Sequence, residues 1–320
     1  MPNKMVIIDG HSLAYRAFYA LPQTLMDKTG QTTNVIHGFL KMIMRIDKEK
    51  QPRSLAVAFD TKAPTFRHIE YKEYKAHRPP SPPGFYTQLP ILQEILAKIG
   101  VTVFAIDGYE ADDVLATLAV KGENIGLDVT IISGDKDVLQ LVTEKISVLM
   151  PIRGLSEMTE YTAQNFTEKT SLTPQQIVDY KSMKGDPSDN IPGVKGIGEK
   201  TAIQLLQKYG SLEEILKRGD LPHKVQEKIN AGREIAQHNI WLTTLDRSVP
   251  LPESDVFQYD GLHFDLAAEL LEKHSLRSVL NSVWNVKDAN SADRGRQNAE
   301  LAKVEVSAVV EDKEEQMSLF

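Results

Sequence analysis

The sequence predicts an α/β domain with a mostly parallel sheet flanked by helices, followed by a helical domain. Two observations support this fold class. Short β-branched segments alternate with amphipathic segments in the first half of the chain, whereas the part from about residue 171 has short helical segments broken by Gly and Pro and no strand signal. We therefore predict an α/β domain at 1–180, a helical domain at 181–287 and, from its polar composition, a flexible tail at 288–320.

The elements of the first half follow one another in a regular order. Stretches with amphipathic spacing lie near residues 34–50, 86–99 and 111–121. They alternate with four segments that have the composition of buried strands, which are KMVIIDG, SLAVAFD, VTVFAIDG and DVTIISGD. Strands that alternate with helices in this way are typical of a largely parallel sheet.

The helical segments of the second half are TPQQIVDYKSM, EKTAIQLLQKYG, SLEEILKRG, LPHKVQEKINAGREIAQHNIWLTTL and FDLAAELLEKH. Each has apolar residues at helical spacing, and each ends at or near Gly, Pro or a polar turn. They predict a compact all-helical domain.

The composition sets limits on the class of protein and on the kind of metal site. With 320 residues, 41% hydrophobic and 25% charged, the chain is long enough for two globular domains. No apolar run approaches the roughly 20 residues of a membrane span, and the start lacks a secretory signal, so we expect a cytoplasmic protein. We also expect a monomer. The absence of cysteine excludes disulfides, thiolate nucleophiles and Cys-bound zinc, so any metal must be held by oxygen or histidine.

Carboxylates stand where several predicted strands end. Three strand segments finish in Asp9, Asp60 and Asp135, and the segment GYEADD opens a helix just after another strand. In an open parallel sheet the carboxyl ends of the strands form the ligand-binding crevice, so these acids should converge there. Taken alone, acids in a helix's first turn favourably meet its dipole, and a strand-end Asp commonly caps a turn. In the first half of the chain the predicted cluster has these members: Asp9, Asp60, Glu110, Asp112, Asp113, Asp135 and Asp137.

Such a cluster needs cations to remain ionised, because like charges a few ångströms apart raise each other's pKa. An all-oxygen site suits Mg²⁺, with Mn²⁺ as a substitute, whereas zinc would normally recruit histidine or cysteine. Neutralising nine clustered acids would also change the net charge of −7 to +2. The acidic balance therefore does not exclude a nucleic-acid partner.

The segment at residues 65–84, TFRHIEYKEYKAHRPPSPPG, is the most basic and aromatic part of the chain. Helical spacing would place Arg67, Tyr71, Tyr74 or Lys75, and Arg78 on one face, and the prolines would stop the helix. Cations bind phosphates, and tyrosines offer surfaces for unpaired bases. The alternative is a solvated charged helix. Because the segment follows Asp60, we expect it to lie over the carboxylate crevice.

The segment at residues 183–206 combines two more acids, Asp186 and Asp189, with a glycine-rich turn that opens a helix. Glycines let the backbone approach a ligand closely, and helix N-termini favour phosphate. Many glycine-rich turns simply join helices, but here the turn directly follows an acidic stretch. The predicted DNA-binding residues of this turn are Gly193, Lys195, Gly196, Gly198, Lys200 and Thr201.

These residues resemble the 5′ nuclease family, which includes flap endonucleases and the amino-terminal 5′→3′ exonuclease domain of bacterial DNA polymerase I. The motifs IDGHSLAYRAFYA, AFD, TFRHIEYKEYKAHRP, GYEADD, SGDKD and GDPSDNIPGVKGIGEKTA stand in order over roughly residues 4–286. The resemblance implies a PIN-like core and a helix–turn–helix (H3TH) element. It also implies one cation held mainly by Asp60, Glu110 and Asp112 with help from Asp9, and another held by Asp135, Asp137, Asp186 and Asp189.

The resemblance also implies a function. Residues 67–84 look like an arch for a free 5′ strand, in which Arg67, Lys75 and Arg78 grip phosphates, and the turn at 183–206 looks like the element that holds the duplex, often with K⁺. We expect a two-metal 5′→3′ exonuclease and flap endonuclease acting on 5′ flaps, nicks and RNA–DNA junctions in primer removal and DNA repair. The alternatives are a metal-dependent ribonuclease on a similar core and a catalytically silent DNA-junction binder.

The last residues, Gln316–Phe320, resemble the short peptide by which bacterial proteins dock on the DNA polymerase sliding clamp. Leu319 and Phe320 could fill an apolar pocket of the clamp. The alternative is that these residues belong to an inter-domain linker. A tail peptide that loses clamp binding when both residues become alanine would distinguish the two.

Overall fold

The computed structural model describes residues 3–153, 157–252 and 256–281. Its main sheet has the strand order β3-β2-β1-β4-β5-β6. The strands are β1 Lys4–Asp9, β2 Ser54–Phe59, β3 Thr102–Ala105, β4 Asp128–Ile132, β5 Ile146–Arg153 and β6 Glu157–Tyr161. The first five are parallel, whereas β6 is antiparallel to β5. The predicted α/β fold with a mostly parallel sheet is confirmed.

Helices cover both faces of this sheet. They are α1 Gly10–Ala20, α2 Asn34–Lys50, the short α3 Phe66–Glu70, α4 Leu89–Lys98 and α5 Ala111–Asn124, followed by a 3-10 turn at Asp137–Leu141. Alternate residues of β1 enter two separate cores: Met5 and Ile7 face α5, and Val6 and Ile8 face α1, α2 and α4. Burial on both sides explains why these strands are continuously apolar.

The second half is helical, with α6 Phe166–Thr170, α7 Gln176–Lys184, α8 Glu199–Tyr209, α9 Leu212–Lys217, α10 His223–Ala231 and α11 Arg233–Thr243. A two-stranded hairpin of β7 Gly185–Asp186 and β8 Ile191–Pro192 lies between α7 and α8. The buried residues of α8 and α9 belong to the same core as α5. The helical domain therefore shares the core on the side of the sheet that α5 covers.

The chain then returns to the opposite face. A 3-10 turn at Phe264–Ala267 and α12 Ala268–Lys273 bury apolar side chains against α2 and α4. Their position is also fixed by a buried pair in which His274 lies 2.9 Å from Asp27. The sequence places this segment in the helical domain at 181–287, whereas in the structure its apolar face completes the core of the α/β domain. The predicted tail at 288–320, including Gln316–Phe320, lies outside the described residues.

In the described part of the chain no helix has the length and apolar character needed to cross a membrane.

Candidate metal centre and nucleic-acid interface

The first carboxylates of the predicted cluster meet at the carboxyl end of the sheet. Asp9 ends β1 and caps α1, with its oxygens accepting hydrogen bonds from the Ser12 backbone N–H at 2.9 Å and the Ser133 hydroxyl at 2.7 Å. Asp60 follows β2 and accepts a hydrogen bond from the Ala111 N–H at 2.8 Å. The ends of β1 and β2 and the start of α5 therefore converge, as the sequence predicted.

The start of α5 supplies further carboxylates. Glu110 is the N-cap residue, and Asp112 lies in the first turn. The Oδ1 atom of Asp112 is buried and has no hydrogen-bond partner among the described residues. Asp9, Asp60, Glu110, Asp112 and Asp135 line one cleft of about 1320 Å³.

A second group of acids adjoins this cleft. One carboxylate oxygen each from Asp137, Asp186 and Asp189 lies within 4.8 Å of the others. Asp186 and Asp189 lie on the hairpin of the helical domain, and Asp137 begins the 3-10 turn after β4. Asp135 connects the two groups, since it lines the cleft and accepts a hydrogen bond from the Asp137 N–H at 2.9 Å.

The electrostatics of the cleft fit divalent cations. Burial raises the pKa of Asp9 to about 7, an effect to which Asp60 and Asp135 add. Burial and the charges of Asp135 and Asp9 raise the pKa of Asp112, and burial also raises that of Asp135. Crowded carboxylates with an orphaned buried oxygen are a hard, all-oxygen ligand set that suits Mg²⁺ or Mn²⁺.

Two predicted cations of the basic segment reach these acids. The Lys75 ammonium lies 2.5 Å from Glu110 and 4.0 Å from Asp189, and the Arg78 guanidinium lies 2.6 Å from Asp189. Burial lowers the pKa of Lys75, but the charges of Glu110 and Asp189 outweigh it and raise the pKa overall. Lys75 therefore stays positively charged over the acids at neutral pH.

Lys181 is a further cation that sequence reasoning missed. Its ammonium contacts Asp137 and lies 2.7 Å from Asp186. Although burial alone would raise the pKa of Asp186, the Lys181 charge and hydrogen bonds lower it to about 2. Lys181 lies only five residues before Asp186, but nothing in the sequence distinguishes it from the other lysines of the chain.

The predicted single helix over residues 65–78 is wrong. The helix α3 ends at Glu70, and Tyr71 is extended. Lys75 has a left-handed backbone with φ of 54° and donates its N–H to the Asp189 carbonyl at 2.9 Å. A non-glycine residue in this region is uncommon and interrupts a right-handed helix. The turn that results directs Lys75 and Arg78 at the acids.

Three residues of our predicted site are buried away from any ligand surface. Arg67 is 1% exposed and Asp113 is 0% exposed, and they form a bidentate pair with N–O distances of 2.7 and 2.8 Å. Tyr74 is 4% exposed, and its hydroxyl contacts both Glu110 and Asp189. In this conformation Arg67 is not placed to grip phosphate, Asp113 is not placed to bind metal, and Tyr74 is not placed to stack on a base.

The glycine-rich turn has mixed roles. Gly193 packs against the backbone of Lys184, where an added Cβ would come within 2.1 Å of the carbonyl oxygen, so this glycine serves the hairpin's own packing. Gly198 caps α8 and faces open space. The side chains of Lys195 and Lys200 are exposed beside it, with Thr201 half-buried. The Lys228 ammonium donates to the Gly196 carbonyl at 3.0 Å.

Aromatic residues that sequence reasoning missed form one wall of the cleft. His11, Tyr15, Tyr19 and Tyr86 line it together with the carboxylates. The His11 ring lies 3.5 Å from Asp60. Tyr86 is 51% exposed and Tyr19 is 70% exposed. Exposed rings beside a charged cleft can stack on unpaired bases. Tyr71, in contrast, contacts His238 of α11 at a ring-centroid distance of 6.0 Å.

The raised pKa of Asp9 makes stability and metal binding depend on pH. A carboxyl whose pKa is about 7 in the folded state and 3.8 in the unfolded state binds protons more tightly when folded. The metal-free fold should therefore lose stability as the pH rises from about 4 to 7. A divalent cation that binds Asp9 would displace that proton, so its apparent affinity should fall about tenfold per pH unit below pH 7 for each proton displaced.

Thermal unfolding with and without Mn²⁺ at pH 5.5 and pH 8 checks this expectation. The Mn²⁺-induced rise in Tm should be larger at pH 8. Asp9→Asn should reduce the pH dependence of the metal-free protein. Equal rises in Tm at both pH values would contradict the expectation.

Comparison with known proteins places this geometry in context. Residues 4–171 match the family model described as the 5′-3′ exonuclease N-terminal resolvase-like domain, and residues 172–265 match the 5′-3′ exonuclease C-terminal SAM fold. DNA polymerase I of Mycobacterium tuberculosis (strain ATCC 25618 / H37Rv) is 42% identical over 297 residues, which cover 91% of this chain and 33% of that protein. DNA polymerase I of Bacillus subtilis (strain 168) is 36% identical, with coverages of 97% and 35%. The chain thus spans about a third of the length of these relatives.

Solved structures with the same fold include nucleases. T5 5′-exonuclease with bound divalent zinc ions is 25% identical with a TM-score of 0.65, covering 84% of this chain and 98% of that chain. The catalytic core of Rad2 in complex with DNA substrate is 16% identical with a TM-score of 0.54, covering 85% and 88%, and shows the fold alone.

Proposed function

Because the chain belongs to the 5′-3′ exonuclease family, we propose that it hydrolyses DNA phosphodiester bonds near free 5′ ends, as a structure-specific 5′→3′ exonuclease and flap endonuclease. The observation that carries the proposal is one cleft in which Asp9, Asp60, Glu110, Asp112 and Asp135 lie beneath the cations of the basic segment. Carboxylates and cationic side chains that are brought together from distant segments favour a phosphate-cleaving site over a solvated surface.

The cofactor in this proposal is Mg²⁺, with Mn²⁺ as a substitute. One ion would be held by Asp60, Glu110 and Asp112 with Asp9, and another by Asp135, Asp137, Asp186 and Asp189. When bound, the ions would lower the pKa of the attacking water and neutralise the charge of the scissile phosphate. A K⁺ ion at the glycine-rich turn is part of the same proposal.

The chain's own residues position the substrate. Lys75 and Arg78 stand next to the acids, so they are placed to contact the phosphate and to stabilise the negative charge that develops on it. Attack of water on phosphorus breaks the bond to the leaving 3′ oxygen, and the products are a 5′ phosphate and a 3′ hydroxyl. The exposed turn with Lys195, Gly198 and Lys200 would hold the duplex backbone through phosphate contacts that carry no sequence information.

The partner in this proposal is branched or nicked DNA with a free 5′ end, and the cellular role is primer removal and DNA repair. The aromatic wall of the cleft supports the choice of an unpaired 5′ strand, because unpaired bases can stack on exposed aromatic side chains. The cytoplasmic location, the monomeric state and the sliding-clamp peptide stay predictions.

Digestion of DNA labelled at either end tests the function. Flap, nicked and single-stranded DNA would be compared, with and without Mg²⁺, alongside RNA of the same sequence. We expect cleavage of flap and nicked DNA near the 5′ branch point in the presence of Mg²⁺. Preference for RNA would favour the ribonuclease, and tight flap binding without cleavage would favour the junction binder.

A further inference from the structure

Arg67 uses every hydrogen-bond donor of its guanidinium group. The Nε–H donates to the Leu242 carbonyl at 2.9 Å, and the two terminal nitrogens donate to Asp113 at 2.7 and 2.8 Å. The remaining donors reach the Thr244 carbonyl at 2.9 Å and Glu110 Oε2 at 3.3 Å. A guanidinium has five N–H donors, so none is left for a ligand.

Arg67 and its hydrogen-bond partners lie on three different parts of the fold. Arg67 itself belongs to α3, at the base of the basic segment, and Glu110 and Asp113 open α5. Leu242 lies in the last turn of α11, and Thr244 is the residue that follows the helix. We call residues 242–247 the connecting segment. The connecting segment is also held by Asp113, which accepts a hydrogen bond from the Asp246 N–H at 2.8 Å.

We infer that Arg67 is a positioning residue that ties the orientation of the Glu110 carboxylate to the seating of the helical domain. Glu110 Oε2 accepts from Arg67 and from the Tyr74 hydroxyl, while Oε1 faces Lys75. Of these three partners, Arg67 also binds the connecting segment, so a shift of α11 must move the guanidinium or break its hydrogen bonds. For its role in cleavage the inference rests on the proposed function, but the geometry of Glu110 can be tested without DNA.

Burial makes this connection rigid. Arg67 is 1% exposed, and withdrawing either partner would leave a buried charge unpaired, which is strongly destabilising. Burial by itself lowers the pKa of Arg67, but Asp113 and Glu110 outweigh that effect and raise it, so the charge is permanent. The side chain therefore cannot leave its site to contact a phosphate at low cost.

Arg67→Lys tests the inference, because lysine keeps the charge but has three donors in place of five. The first readout is Mn²⁺ affinity of the DNA-free protein, measured by calorimetry. Residues that orient metal ligands typically change affinity 10- to 100-fold when replaced, and we expect a loss in that range. The second readout is flap binding with Ca²⁺ in place of Mg²⁺ over a series of salt concentrations, where we expect a change of less than about threefold and an unchanged salt slope.

Two controls keep the test decisive. Arg277→Lys makes the same change at a side chain that is 73% exposed and should leave Mn²⁺ affinity unchanged. If Arg67→Lys does not fold, the double variant Arg67→Met with Asp113→Leu replaces the buried pair by apolar groups, which is often neutral for stability. It should show the same loss of Mn²⁺ affinity.

The opposite results would overturn the inference. Unchanged Mn²⁺ affinity in a folded variant would show that Arg67 does not position Glu110. A salt slope lowered by about 0.9, with weakened flap binding, would show that Arg67 contacts a phosphate. A wild-type protein that binds Mn²⁺ but cleaves no flap would instead contradict the proposed function, and leave the effect of Arg67 on Mn²⁺ affinity to be read separately.

Discussion

Replacing Asp135 by asparagine should reduce cleavage of flap DNA by about a thousandfold and leave flap binding nearly unchanged. Asp135 lines the cleft with Asp9 and Asp112 and also contacts the Asp137 N–H, so it belongs to both groups of acids. Asparagine has nearly the same shape, but its neutral amide is a poorer ligand for a hard cation. The loss should therefore fall on kcat, with the fold and the phosphate contacts retained.

The start of β4, the strand that precedes Asp135, provides a matched control. Asp128 begins β4 at the opposite end, and its side chain is 65% exposed and pairs with Lys145 at 3.5 Å. Asp128→Asn should cleave flap DNA at the wild-type rate. Single-turnover cleavage with Mg²⁺ and flap binding with Ca²⁺ measure the two effects. Undiminished cleavage by Asp135→Asn would remove this residue from the site.

The convergence of the acids could be predicted from the sequence because it depends on topology. In a parallel sheet all strand ends meet at one edge, so a strand-end aspartate such as Asp9 or Asp60 has a predictable position. The start of α5 follows β3 at the same edge, which brings Glu110 and Asp112 to the site without knowledge of any side-chain contact.

The roles of the basic segment could not be predicted in the same way. Helical spacing assigned Arg67 and Lys75 to a common face, but the helix ends at Glu70, and Lys75 lies beyond it with a left-handed backbone. Which cation is buried also depends on a partner that is distant in sequence: Arg67 is covered by the carbonyls of Leu242 and Thr244, 175 and 177 residues away. Spacing within a segment carries no information about such contacts.

Two features of the fold could not be predicted from the sequence, for related reasons. Strands β5 and β6 form the sheet edge beyond β4, and β6 has an exposed and half-buried pattern that gives a weak signal. Residues 264–280 have the helical spacing of the second domain, yet their apolar face packs on the first. A periodic pattern shows that a face is buried but does not identify the surface that buries it.

Replacing Lys75 by methionine should lower kcat for flap cleavage by about 10²- to 10³-fold, the range found when one group that stabilises transition-state charge is removed. Methionine fills a similar volume without the charge that lies 2.5 Å from Glu110 and 4.0 Å from Asp189. Because those acids raise the pKa of Lys75, its ammonium stays protonated in the neutral range, and we expect it to act as a fixed positive charge rather than as a proton donor.

The role of Lys75 as a fixed charge is tested more sharply by the pH dependence of kcat than by kcat at a single pH. If Lys75 is a fixed charge, the variant should lose rate by the same factor at every pH between about 6 and 9, because no proton of Lys75 enters the reaction. Lys98→Met, on the far end of α4 with a side chain that is 47% exposed, is the control and should retain wild-type kcat. A variant whose deficit grows or vanishes across this pH range would show instead that Lys75 donates or accepts a proton, since only a titrating group can make the ratio of rates depend on pH.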